Sequence, residues 1–143
     1  MAITLSIALF GGITVSAESN LVASDECINI LKKYEGFSKY PYWDYGQWTV
    51  GYGTRCPADM VDYYKANGIS EADAENLLKE FLKNYNEDVN EFADRYSLTM
   101  TQNQFDALVL FSFNCGSGWV YSPGQNFHKT MALGSAANPA DVL

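Results

Sequence analysis

Histidine, cysteine and basic residues are all scarce in this chain of 143 residues. There is one histidine, His128, and there are three cysteines, Cys27, Cys56 and Cys115, so a metal site built from several histidines is excluded within one chain. The 17 Asp and Glu residues outnumber the nine Lys and Arg residues, which gives a formal net charge of −8. Because nucleic-acid binding depends on clustered basic side chains, this balance argues against such a partner. We therefore expect no nucleic-acid partner, no metal and no other cofactor.

The apolar run near the start of the chain, residues 3–15, is too short to cross a bilayer, because it has about 13 residues where ~20 are needed. It ends in Val15-Ser16-Ala17, the small-residue pattern that precedes signal-peptidase cleavage. We expect residues 1–17 to be a signal peptide or a releasable signal anchor, and the rest to be exported without a permanent membrane span. An oxidising compartment permits one disulfide, for which the three cysteines offer three pairings. The alternative is that the cysteines are small buried apolar residues.

Local signals predict an α+β chain of a single domain that is mainly helical. Ser24 fits the N-cap of a short helix that Gly36 ends, and this leaves Glu35 at the C-terminal end of the helix. Aromatic and β-branched residues over 40–52, interrupted by the turn residues 44–47, predict a β-hairpin. We expect a monomer.

Helix-start signals recur along the rest of the chain. Pro57 predicts a short helix ending near residue 67, and Ser70 opens the longest helix. Thr101 with Gln104 predicts a capping box, and Pro123 suits the first position of another helix. Residues 138–139 would begin one more, but four residues are too few to form a stable helix. We therefore expect C-terminal helices to be missing, with less cover for the apolar side chains of the preceding helices, namely Phe105, Leu108 and Trp119.

Aromatic residues make up 15% of the chain and are concentrated in one segment. Eight of them lie between residues 34 and 52: Tyr34, Phe37, Tyr40, Tyr42, Trp43, Tyr45, Trp48 and Tyr52. The same segment contains Glu35 and Asp44, nine positions apart, and Thr49 on the returning strand. Glycoside hydrolysis needs one carboxylic acid to protonate the leaving oxygen and one carboxylate to activate water. We expect dry surroundings for Glu35 among the rings and a wetter turn for Asp44, although both could be ordinary surface acids.

Three stretches of this segment resemble the active-site region of the phage-type lysozymes, the endolysins of glycoside hydrolase family 24. They are residues 34–37 (YEGF), 40–44 (YPYWD) and 46–54 (GQWTVGYGT). The family pattern is a helix-terminal Glu-Gly, then an Asp or Cys, then a Thr in a W-T-[IV]-G-Y-G strand. The interval from Glu35 to Asp44 matches it, whereas the five positions from Asp44 to Thr49 are one fewer than the commonest family spacing. Residues 69–74 are similar to the start of the family's long helix, and residues 102–116 are similar to its central buried helix.

The resemblance implies a lysozyme-like two-lobed fold, with a small β-hairpin lobe and a helical lobe, over residues 18–143. It implies a muramidase that cuts the β-1,4 bond between N-acetylmuramic acid and N-acetylglucosamine in peptidoglycan, with inversion. Carried over by position, Glu35 is the proton donor, Asp44 is the base or electrostatic partner, and Thr49 positions the attacking water. Phe113 and Asn114 correspond to the cleft-lining end of the central helix and are expected to bind substrate.

Three other functions fit parts of the same sequence. Cys115 and His128 suggest a cysteine hydrolase, but the end of a helix raises rather than lowers the pKa of a thiol. The aromatic residues alone would suit a peptidoglycan-binding module without catalysis. An acid at position 35 also suits a lytic transglycosylase, although Asp44 and Thr49 together favour the use of water.

Overall fold

The computed structural model describes residues 20–133, so the segment 1–17 and the possible helix at 138–139 lie outside the described residues. The described part is mainly helical with one small antiparallel sheet, which confirms the expected α+β class. Its elements are α1 (Asp25–Glu35), β1 (Ser38–Asp44), β2 (Gln47–Gly51), β3 (Thr54–Arg55), α2 (Val61–Asn67), α3 (Glu71–Arg95), α4 (Gln102–Cys115), a 3-10 helix (Ser117–Tyr121) and α5 (Asn126–Leu133). No helix in this part of the chain has the length and apolarity to cross a membrane.

The start of α1 is fixed by hydrogen bonds to two other helices. The Ser24 hydroxyl accepts from the Cys27 amide at 3.1 Å, as expected of an N-cap, and donates to the Asp106 carboxylate of α4. Just upstream, the Leu21 amide donates to the side chain of Asn90 of α3 at 3.1 Å. These bonds satisfy polar groups that would otherwise be buried without partners, and they set the direction in which α1 leaves the helical lobe.

The sheet has the strand order β1-β2-β3, and its first two strands form the expected hairpin. Tyr45 and Gly46 make the two-residue turn with φ of 42° and 84°, as the twist of a tight hairpin requires. The pairing is irregular between Ser38 and Tyr42, where Pro41 has no amide hydrogen to donate. β3 has only two residues and was not expected.

The 25-residue helix α3 joins the sheet to the helical lobe. Ala74 in its first half packs against Gly51 of β2, where a side chain on the glycine would come within 2.8 Å of the Ala74 methyl. In the second half, the Phe92 ring packs against Trp119 at 4.8 Å between centroids. The buried residues of α3 recur at helical spacing and form one apolar stripe: Ala74, Leu78, Leu82, Val89, Phe92 and Ala93.

The core of the helical lobe contains a chain of buried hydrogen bonds around His128. The Tyr96 hydroxyl lies 2.7 Å from Nε2 of His128, and Nδ1 lies 2.8 Å from the Trp119 carbonyl. Because a carbonyl can only accept, Nδ1 carries the hydrogen and Nε2 accepts from Tyr96. The Trp119 indole in turn donates to the Ser112 hydroxyl at 2.9 Å.

Two helix starts and one burial expectation were wrong. α2 begins at Val61 rather than Pro57, and α5 begins at Asn126 rather than Pro123. In both places the proline lies in a hydrogen-bonded turn that precedes the helix, because Pro57 and Ser122 each accept from an amide three residues on. The prediction that Phe105, Leu108 and Trp119 would be less well covered was also wrong, because all three side chains are buried.

Candidate active site

The Glu35 carboxylate lies directly against the turn between β2 and β3. A Cβ placed on Gly53 would be 2.6 Å from Oε2 of Glu35 and 3.1 Å from its Cδ. Gly53 also has φ of +70°, a conformation that other residues rarely adopt. Glycine at this position therefore allows the end of α1 to place its carboxylate on the sheet.

Asp44 and Thr49 lie on one face of the hairpin. Asp44 is the last residue of β1 and pairs with Gln47, while Tyr42 pairs with Thr49. Directly opposed residues and residues two apart along a strand share a face, so Tyr42, Asp44 and Thr49 lie together. Trp43 and Trp48 occupy the other face, where their rings meet edge to face at 5.3 Å. The register thus separates the carboxylate and the hydroxyl from the tryptophans.

The Tyr42 hydroxyl lies within the electrostatic reach of both carboxylates. The partial burial of Tyr42, which is 42% exposed, raises its pKa above the ordinary value, and the negative charges of Asp44 and then Glu35 raise it further. Both charges act on this one tyrosine although Glu35 belongs to α1 and Asp44 to β1. Sequence reasoning counted Tyr42 only among the aromatic residues. The sequence signal that could have identified Tyr42 as a neighbour of the site is its position two residues before Asp44 on the same strand, because such residues share a face.

The Thr49 hydroxyl is buried without a hydrogen-bond partner among the described residues. The residue is 3% exposed, and its Oγ1 is the only buried side-chain polar atom without a partner in residues 20–133. Leaving a buried hydroxyl unsatisfied costs about 1–3 kcal/mol. An unpaired hydroxyl on the face that carries the Asp44 carboxylate is a feature that a bound water or substrate would satisfy.

Glu35 was expected in dry surroundings and Asp44 in a wetter turn, but the structure shows the opposite order of exposure. Glu35 is exposed, and the rings on either side of it are exposed as well, Tyr34 by 80% and Phe37 by 39%. Asp44 is half-buried. The expectation of dry surroundings for Glu35 was wrong because Phe37 packs against Tyr52, at 5.4 Å between centroids, and Tyr34 projects into solvent.

The expected substrate-binding residues Phe113 and Asn114 lie at the end of α4. The Phe113 ring packs against Phe81 and Tyr85 of α3, at 5.9 and 6.5 Å between centroids. Asn114 is exposed and donates to the Leu110 carbonyl within its own helix at 2.9 Å. These contacts do not involve α1 or the sheet, so they do not join Phe113 or Asn114 to Glu35, Asp44 or Thr49.

The structure also bears on the cysteines. All three are free thiols, with Cys27 and Cys56 buried and Cys115 exposed. His128 is 2% exposed and both its ring nitrogens are hydrogen-bonded, so it has no free nitrogen with which to activate Cys115. No cluster of three or more His, Cys, Asp or Glu side chains suited to a metal is found within residues 20–133.

Comparison with known proteins gives matches that agree with one another. Residues 32–138 match the family model for phage lysozyme. The chain is 36% identical over 100 residues to an endolysin of Bacillus phage B103, covering 64% of this chain and 33% of that endolysin. It is 32% identical over 94 residues to the endolysin of Bacillus phage PZA, covering 64% and 34%. The chain therefore spans about a third of the length of these curated relatives.

A solved structure shows the same fold. The muramidase domain of SpmX from Asticaccaulis excentricus superposes with a TM-score of 0.55 at 27% sequence identity, covering 78% of this chain and 76% of that one. The mainly helical fold with a small three-stranded sheet is thus lysozyme-like. The matched family model covers most of the chain and includes the segment that carries the two carboxylates and the buried threonine. The chain belongs to the phage lysozyme family.

Proposed function

We propose that this chain is a peptidoglycan hydrolase, a muramidase that cleaves the β-1,4 bond between N-acetylmuramic acid and N-acetylglucosamine. The observation that carries the proposal is the Asp44 carboxylate on the same hairpin face as the unpartnered Thr49 hydroxyl, with the Glu35 carboxylate against the adjoining turn between β2 and β3. The names of the relatives, two endolysins and a muramidase domain, support the same activity. Because the wall lies outside the cytoplasm, the proposal includes export directed by residues 1–17.

Glu35 acts in this proposal as the general acid. Its carboxyl group donates a proton to the glycosidic oxygen as the bond from that oxygen to the anomeric carbon breaks. In the free chain Glu35 is exposed, so the substrate itself must exclude water from it. A sugar ring resting on the exposed rings of Tyr34 and Phe37 would do this.

Asp44 and Thr49 act in this proposal on the attacking water. The Thr49 hydroxyl has hydrogen-bonding capacity that no described residue uses, and a water held there lies on the same face as Asp44. The Asp44 carboxylate accepts a proton from that water as its oxygen bonds to the anomeric carbon. An inverting reaction of this kind needs the two carboxyl groups about 6.5–9.5 Å apart. Asn114 is exposed and remains the proposed substrate contact on α4, whereas Phe113 is engaged with α3.

The test compares Glu35→Gln with Glu26→Gln, the same exchange at an exposed position in the first turn of the same helix. The full chain should clear a suspension of purified peptidoglycan, Glu35→Gln should lose at least ~100-fold of that activity, and Glu26→Gln should keep it. Thr49→Ser should retain more activity than Thr49→Ala, because serine keeps the hydroxyl. A wild-type chain that binds peptidoglycan without clearing it would refute catalysis in favour of a binding module.

Product analysis distinguishes hydrolysis from lytic transglycosylation. Hydrolysis adds water and leaves a reducing N-acetylmuramic acid end, whereas transglycosylation forms an anhydro sugar. Mass spectrometry of the released fragments separates the two by the mass of one water. The unpartnered Thr49 hydroxyl favours the hydrolytic product.

A further inference from the structure

A groove of about 410 Å³ lies between the hairpin and α2, on the side that carries the two tryptophans. Its volume falls within the range of about 300–1,000 Å³ that is usual for small-ligand sites. Trp43 and Trp48 form one wall, and residues from α2 form the other. Trp43 and Trp48 lie on the opposite face of the hairpin from Asp44 and Thr49, so the tryptophan wall is separate from the proposed catalytic face. Gln47 and Arg55, which also line the groove, pair with Asp44 and Thr49.

The groove offers an exposed aromatic surface beside a lysine. Trp43 is 61% exposed, which is unusual for so large an apolar side chain, and its ring meets Trp48 edge to face. The Lys65 ammonium lies 3.6 Å from the centroid of the Trp48 ring. This cation–π contact joins Lys65 to Trp48, whereas the Trp43 ring is open to a ligand.

The charge of the groove is opposite to that of the chain as a whole. Arg55 and Lys65 line it with one carboxylate, that of Asp62, whereas the chain carries a formal charge of −8. Neither cation makes an ion pair within the part of the chain that the structure describes, whereas Lys32 and Lys79 both pair with Glu75. A cationic groove with an open indole ring is complementary to a ring-shaped ligand that carries a carboxylate.

We infer that this groove binds an acidic N-acetylated saccharide, namely a muramic-acid unit of a glycan strand outside the bond-cleaving site. The Trp43 ring packs against the C–H face of the sugar, the Asp62 carboxylate accepts from sugar hydroxyls, and Lys65 holds the acidic substituent. The groove and its charge are features of the structure. The identification of its ligand with peptidoglycan depends on the proposed function.

The test uses the full chain carrying Glu35→Gln, so that binding is measured without cleavage. Trp43→Ala should weaken cosedimentation with purified peptidoglycan about tenfold, as loss of a central aromatic contact does. Tyr63→Ala is the matched control, because Tyr63 is an exposed aromatic residue of α2 that does not line the groove, and it should bind like the parent. Thermal melting of each variant separates loss of binding from loss of folding.

The acidic character of the ligand is tested with two soluble probes. Tryptophan fluorescence is titrated with a disaccharide containing N-acetylmuramic acid and with a neutral N-acetylglucosamine tetramer. Because Trp119 is 5% exposed, the fluorescence change reports mainly on the groove tryptophans. Lys65→Glu should weaken binding of the acidic probe about tenfold and leave the neutral probe unchanged, whereas Lys65→Arg should preserve both.

The outcomes separate this inference from the proposed function. The inference is wrong if Trp43→Ala and Lys65→Glu bind both peptidoglycan and the acidic probe as tightly as the parent, or if Tyr63→Ala weakens binding equally. The proposed function fails separately, if the wild-type chain has no hydrolytic activity or if Glu35→Gln retains it. In the otherwise wild-type chain, Trp43→Ala should clear whole peptidoglycan more slowly but hydrolyse a short soluble glycan at the normal rate.

Discussion

Replacing Gly53 by alanine should disable Glu35 while leaving most of the fold's stability in place. The added Cβ would lie 2.6 Å from Oε2 of Glu35, whereas ordinary contact begins at 3.4 Å. The other atoms nearest to that Cβ also belong to the Glu35 side chain, at 3.1 and 3.3 Å. A side chain moves more easily than a backbone. The carboxylate should therefore shift by about 0.8 Å, which is the difference between the 2.6 Å approach and the 3.4 Å of ordinary contact.

Two separate effects of Gly53→Ala can be given magnitudes. A displacement near 1 Å of a reacting group costs up to ~100-fold in rate, so we expect a loss of about 10- to 100-fold in the rate of peptidoglycan clearance. Placing alanine at φ of +70° costs about 1–2 kcal/mol in free energy of unfolding. For a domain of this size that cost lowers the melting temperature by roughly 3–10 °C.

Gly46→Ala is the matched control for the strain. Gly46 has φ of +84°, and nothing lies within 4 Å of a Cβ built on it, so alanine there adds backbone strain without a clash. The two variants should melt at similar temperatures, while only Gly53→Ala loses activity, as measured by turbidity of a peptidoglycan suspension well below both melting points. Equal activity in the two variants would refute the claim that Gly53 positions Glu35.

Two further predictions concern single titrating groups. Hydrogen bonds from Lys32 and Lys79 lower the pKa of Glu75 to about 2, so its contribution to stability is present above its ordinary value of 4.5 and is lost as the pH falls towards 2. Glu75→Gln should therefore lower stability by about 1 kcal/mol at neutral pH, and thermal melts from pH 7 to pH 2 should show the difference from wild type disappearing. Burial raises the pKa of the Cys27 thiol to about 12, so iodoacetamide at pH 8 should modify the exposed Cys115 and leave Cys27 unmodified until the chain is unfolded, as mass spectrometry of the peptides would show. Modification of Cys27 in the native chain would contradict its burial.

The correct sequence predictions were those that depend on neighbouring residues. The caps at Ser24, Ser70 and Thr101 all formed, because each hydroxyl accepts from the amide three positions along the chain. The hairpin turn formed because Tyr45 and Gly46 adopt the positive φ values that a two-residue loop requires. In each case the energy comes from a few residues that are adjacent in sequence.

The wrong predictions are of two kinds. Some concern a residue that suits two different local structures, and others concern packing against residues that are distant in sequence. Proline suits the first position of a helix and also the early positions of a turn, and at Pro57 and Pro123 the turn formed. The surroundings of Glu35 depend on where the Tyr34 and Phe37 rings pack, and Phe37 packs against Tyr52, which is distant in sequence. Pattern alone does not specify such packing.

The candidate site combines one locally determined part with one part that depends on the whole fold. The hairpin register places Asp44 and Thr49 on one face, so their relation needs only β1 and β2. Glu35 lies against the turn at Gly53, on the end of α1, which is held by Ser24 on Asp106 of α4 and by Lys32 on Glu75 of α3 at 2.6 Å. Perturbations of α3 or α4 should therefore move the proposed acid relative to the proposed base without disturbing the hairpin. For this reason the distance between Glu35 and Asp44, rather than the hairpin itself, is the part of the site most sensitive to changes elsewhere in the chain.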